Sequence, residues 1–151
     1  MEKKPKSFIV LLFLLGFLSL GAFVGGIPLL MDPTGVLLKL PISLLEGTPF
    51  SSFLIPGLIL TLVFGVFPLV VFYSLIKMPQ WKWAESLNLL PDIYWAWTYA
   101  IYIGFGQILW ISIQTVLINE AGLIHLFYTL LGISIVAVAL LAPIRVYFSR
   151  K

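Results

Sequence analysis

The sequence contains no cysteine, which excludes disulfides, thiol redox chemistry and Cys-ligated zinc or iron–sulfur sites. It has one histidine, His125, in 151 residues, and zinc or haem held by that side chain would need further ligands. Charge is scarce: Asp, Glu, Lys and Arg make up 10% of the chain, against roughly 25% in soluble domains. So few charges cannot cover a water-facing surface, and the solvent for most of the chain must be lipid. No nucleophile elbow or other catalytic motif surrounds Ser43, Ser51 or Ser52. No apolar run carries a charge at its centre, which argues against an ion path through a monomer. Internal repeats and low-complexity segments are absent too.

What remains is greasy: 61% of residues are hydrophobic and the mean hydropathy is +1.11. A spanning helix needs about 20 apolar residues, so the length accommodates about four spans with short connections. The expected fold is all-α, an integral membrane four-helix bundle forming a single domain over 1–151, with spans at 7–30, 50–76, 92–118 and 122–144. The first apolar region is long for a signal peptide, and its one small-residue cleavage option, Ser19-Leu20-Gly21, is poor. For the second span, Thr48 serves as N-cap and Pro49 as first helical residue, with kinks expected at Pro56-Gly57 and Pro68. The third opens with Tyr94, Trp95 and Trp97 as an interfacial aromatic belt. Only Asn119-Glu120-Ala121 separates it from the fourth, which predicts a tight antiparallel hairpin ending at Pro143 and Arg145.

Positive charge sets the orientation. The net charge is +3, and eight of the nine Lys and Arg residues lie in the N-terminus, the 77–91 loop and the C-terminus, leaving Lys39 alone in the other loops. This pattern places both termini and the middle loop in the cytoplasm, in a multi-pass protein of the cell (inner or plasma) membrane. The expected partners are membrane lipids and a homo-oligomer or larger membrane complex. Nucleic acid is not among them, because there is no basic face of the size phosphate binding requires. Trp81 and Trp83, beside lysines in the middle loop, read as an interfacial anchor, with a partner-docking or lipid-sensing surface as the alternative.

Small and polar residues inside the spans are the candidate functional positions. Gly21 and Gly25 form a GxxxG step, and Ala22 and Gly26 a second small-xxx-small step; both are helix-packing candidates, within the chain or in a dimer. Gln107, Trp110 and Gln114 fall at i, i+3 and i+7 and share one helical face, with Tyr102 near it. A glutamine amide in hydrocarbon must find a partner, so this face is either interhelical glue or the lining of a ligand cavity. Tyr102, Gln107, Trp110, Gln114, His125 and Asp32 are the ligand-lining candidates. A metal site of His125 with Asp32, Glu46 and Glu120 has no support in the spacing, and a histidine hydrogen-bonded at a helix end is the simpler reading. No catalytic, cofactor-binding or metal-binding residue is assigned.

Residues 31–50, MDPTGVLLKLPISLLEGTPF, are too apolar for an ordinary loop and too broken for a span. Asp32 to Gly35 reads as a turn. Pro41 then begins a short helix to Leu45, which Gly47 ends. The 34–46 segment is expected to lie in the outer interface with its leucines buried and Lys39 and Glu46 wet, with a re-entrant hairpin as the alternative. Asp32, Pro33, Thr34, Gly35, Leu38, Leu40, Pro41, Thr48, Pro49, Phe50, Pro56 and Gly57, with the later Trp110-x-x-x-Gln114, resemble a type of small bacterial four-helix membrane protein. Its pattern is DP(S/T)G-x-x-L-G-(L/M)-P, then (T/S)-P-F and P-G. Lys39 stands where that pattern has glycine. The resemblance implies the fold and supplies no chemistry.

Three functional readings follow. The first is a non-enzymatic accessory, scaffold or self-associating membrane protein. The second is a protein that binds or carries a lipid or small hydrophobic ligand, in a pocket under the 31–49 segment. The third is an intramembrane enzyme using His125 with Glu120 or Asp32. A cavity reaching the Gln107–Gln114 face favours the second, and a filled core removes it.

Overall fold

The computed structural model describes residues 4–150; Lys3 and Lys151, counted above for orientation, lie outside them. The described residues form helices and no strand. Three helices are long and apolar enough to cross a membrane, or four if one bent pair is a single span.

Helix α1 (Lys6–Met31) buries Phe8, Leu11, Leu15, Leu18, Ala22 and Leu29 on one stripe. Its other face is equally apolar yet outward: Ile9, Phe13, Leu20 and Val24 are each 64% exposed or more. A helix that is hydrophobic all round needs an apolar surrounding on every side.

The chain then passes through two 3-10 turns, Val36–Leu38 and Ile42–Leu45, so the expected short helix is a single tight turn after Pro41. Thr48 does not cap the second span. Its hydroxyl donates to the Leu45 carbonyl (2.8 Å) and accepts from the Phe50 N–H (3.2 Å), closing a local turn. The helix itself starts later, at Leu54. The Pro33 carbonyl accepts from the Phe53 N–H at 2.9 Å, and Leu29, Leu45 and Phe53 form a small core of their own. A Cβ at Gly35, whose φ is +84°, would meet the Leu40 carbonyl and the Phe53 ring at 2.7 Å, which explains the glycine in the DPTG turn.

Lys39 has φ 56°, the left-handed region that glycine enters without steric penalty. Lys39→Gly is therefore expected to stabilise the protein by up to about 1 kcal/mol, read as a higher midpoint of denaturant unfolding in detergent.

Helix α2 (Leu54–Leu58) continues through a π-helical stretch, Ile59–Val66, into α3 (Phe67–Lys77), and together they make one 24-residue helix. Of the prolines expected to kink it, Pro56 sits in the first turn, where a missing N–H breaks no helical bond. Pro68 follows the wide π turn, a common way to accommodate a disrupted hydrogen-bond ladder. The Ser19 hydroxyl donates to the Gly65 carbonyl in that stretch at 2.6 Å, joining it to α1.

After short α4 (Lys82–Ser86) come α5 (Trp95–Ile118), α6 (Leu123–Ala139) and α7 (Ala142–Phe148). The expected span 122–144 is broken: α6 and α7 meet at 62°, with Pro143 in the first turn of α7. Helix α1 packs on the Ile59–Val66 stretch and on α6, while α5 packs on α6 and α3. Helices α5 and α6 approach closely at a pair of glycines. A Cβ on Gly104 would lie 2.6 Å from Val136 Cγ2 and 2.9 Å from the Gly132 carbonyl oxygen.

One end of the assembly is covered by aromatic rings. Tyr94, Trp95 and Trp97 are 2%, 0% and 1% exposed, which corrects the expected interfacial belt. Trp95 stacks on Trp81 at 5.3 Å and meets Tyr99 edge-on at 5.1 Å. Thus Trp81 turns inward, and Trp83 remains exposed. Polar tips on these rings end on backbone carbonyls: Tyr94 and Trp95 on Pro79, Tyr99 on Ala84, Trp97 on Ala139. The C-terminus closes the same end. The Tyr94 N–H donates to the Phe148 carbonyl and the Arg150 N–H to the Asp92 carbonyl, and Arg150 pairs with Glu85.

Candidate functional site

At the opposite half, α1, the π-helical stretch, α5 and α6 enclose a cavity of about 280 Å3. Leu18, Ala22, Leu60, Phe64 and Ile111 supply its apolar wall; Gln107, Gln114, His125 and Tyr128 supply its polar groups. Gly21 and Gly25 form part of the α1 side. Their lack of side chains is what leaves room: the Tyr128 hydroxyl occupies the space a Cβ at Gly21 would fill, and Gly25 has only Leu60 Cδ1 near, at 3.8 Å.

Gln107 is 2% exposed, and its Oε1 is buried without a hydrogen-bond partner. An acceptor stranded in this way costs about 1–3 kcal/mol. His125 is in the first turn of α6, and its Nδ1 accepts from the Gly122 N–H at 3.1 Å. In the neutral imidazole the proton then sits on Nε2, so the histidine offers a donor on its free edge. Among the described residues no carboxylate hydrogen-bonds to it, and no three His, Asp or Glu side chains come together.

The structure therefore brings Gln107, Gln114 and His125 into one wall, with Gly21, Ala22 and Gly25 facing them across it. It leaves the other candidates elsewhere. Tyr102 accepts from the Leu89 N–H at 3.1 Å and tethers the middle loop at the aromatic end. Trp110 lies beside Phe64, ring centroids 6.3 Å apart, outside the cavity wall. Asp32 caps its own turn, accepting from the Thr34 hydroxyl and N–H and from the Leu37 N–H. Those bonds, the Thr34 hydroxyl first, hold its carboxyl below the usual carboxylate range. Gly26 packs against Gly57 and Thr61 and is a helix contact only. No residue of 31–49 lines the cavity, so that segment is not its lid.

Tyr128 is the polar lining residue that sequence reasoning missed. Its position three residues after His125 puts both on one face of α6, a signal that was available. Chemically, the site offers hydrogen-bond donors and acceptors without charge, and it contains no nucleophile paired with a base. In comparison with known proteins, no family model, curated protein or solved structure matches the chain.

Proposed function

We propose that the protein is a four-span membrane bundle, with both termini and the middle loop cytoplasmic, that binds a lipid or small hydrophobic ligand in the Gln107–Gln114–His125 cavity. Membrane insertion is supported by the exposed apolar perimeter and by apolar helices of spanning length. The orientation is supported by the placing of Lys and Arg residues, with Lys39 alone in the outer loops. The cell (inner or plasma) membrane is the site this reading implies.

Gln107 Oε1 carries the ligand-binding reading, because a buried orphan acceptor on a cavity wall is satisfied most simply by something that enters the cavity. An accessory or scaffold role has no comparable observation behind it, and an enzymatic role for His125 lacks a carboxylate partner.

Native mass spectrometry after purification in a mild detergent tests this. The wild-type chain should carry a small apolar adduct. Gly25→Leu should lose it while remaining folded, since a side chain there grows into the cavity without meeting backbone. An adduct retained at full occupancy in Gly25→Leu would place the ligand elsewhere, and a wild-type chain without any adduct would remove the reading.

A further inference from the structure

Resting on that ligand-binding reading, we propose that the ligand is a single-chain lipid with an uncharged, hydroxyl-bearing headgroup of the monoacylglycerol type, entering sideways between α1 and α6. Three observations define the class.

The first is the absence of charge. No Asp, Glu, Lys or Arg is among the lining residues. A phosphate or carboxylate placed there would lose its hydration without gaining a counter-charge, which is prohibitive in so apolar a surrounding.

The second is the spacing of the polar groups. Gln107 has a fully buried carbonyl oxygen without a partner, which takes a donor. His125 offers a donor on Nε2, and the Gln114 amide offers both functions. Gln107 and Gln114 are seven residues apart on one helix, which is about 10 Å along its axis. One hydroxyl cannot serve both, whereas a glycerol ester carries two hydroxyls and an ester carbonyl along its length. The pattern is a ladder of neutral polar groups along one wall.

The third is the shape of the mouth. Of the lining residues, Val24 on α1 and Ile124 on α6 are 65% and 64% exposed, so the cavity opens between these two helices onto the apolar perimeter. Small-molecule sites typically run from about 300 to 1,000 Å3, and this cavity, at about 280 Å3, holds a headgroup and the first part of a chain. The rest of the tail lies outside against Val24 and Ile124, where the surrounding is already apolar.

The test is a titration of the wild-type protein in detergent, followed by native mass spectrometry, with three probes that share an oleoyl chain. Monoolein has neutral hydroxyls, methyl oleate has the ester without a donor, and oleoyl lysophosphatidic acid keeps the glycerol and adds charge. Monoolein should bind one per chain, with the other two at least about tenfold weaker, the factor expected for a lost buried hydrogen bond or an unpaired charge. Gln107→Leu, nearly isosteric and free of the orphan acceptor, should stay folded and weaken monoolein by about tenfold.

If methyl oleate or the phosphate lipid binds as tightly as monoolein, or if Gln107→Leu leaves monoolein unaffected, the hydroxyl assignment is overturned. Should Gly25→Leu still abolish binding in that case, the cavity reading survives. If none of the three binds the wild-type chain, both fall.

Discussion

Gly104→Val is expected to destabilise the protein by about 3 kcal/mol or more, the upper range for overpacking a close contact. The first carbon of any side chain at 104 would lie 2.6 Å from Val136 Cγ2 and 2.9 Å from the Gly132 carbonyl oxygen. A methyl group can rotate aside, but a backbone carbonyl cannot without moving α6. Gly132 meets the Gly104 carbonyl at the same 2.9 Å from the other side, so the two glycines act as a pair that lets the helix backbones approach. Packing at such small-residue contacts is a main source of helix association in membranes, where no hydrophobic drive separates protein from lipid. Unfolding by graded addition of a denaturing detergent, followed by circular dichroism, measures the loss. Gly25→Val serves as the control, because the space around it is open. Equal stability of the two variants would show that α5 and α6 are not held at this contact.

Trp95→Ala is expected to cost about 3–5 kcal/mol, the range for deleting a large buried aromatic side chain. Trp95 is fully buried. Its ring lies between Trp81 and Tyr99, and its Nε1 donates to the Pro79 carbonyl at 3.1 Å. Removal would take away the surface on which the middle loop rests, so limited proteolysis should cut between Met78 and Asp92 in the variant and spare the wild type. Trp83→Ala is the contrast: its side chain is 56% exposed, and changes at such positions stay within about 0.5 kcal/mol. A Trp95→Ala protein no weaker than Trp83→Ala would mean that the rings decorate the end and do not hold it.

These two residues also show what was legible in the sequence. Helix content and apolar runs of spanning length follow from composition and run length alone, and three of the four expected runs match a single long helix, the fourth being broken at the α6–α7 bend. The Gln107–Gln114 face was readable because helical periodicity relates residues of one helix, and both glutamines line the same cavity. Relations between helices were not readable. Gly104 and Gly132 lie far apart in sequence and in no shared motif, whereas Gly21 and Gly25 form a motif and turn out to shape a cavity wall. Trp95 and Trp97 looked like interface residues because indoles at a helix start commonly are. The chain places a loop and its own C-terminus over them instead, which no local pattern announces. Asp32 and Tyr102 are polar residues that met their needs within nearby backbone, so they never reached the cavity.

The ring-covered end has a further meaning for traffic through the protein. The buried N–H and O–H tips of Tyr94, Trp95, Trp97 and Tyr99 are each tied to a carbonyl of the loop or of α6, while the Thr98 hydroxyl among them is buried without a partner. That end is filled with tied rings, whereas the cavity wall reaches the surface at Val24 and Ile124, so the gap between α1 and α6 is the route by which a ligand would come and go.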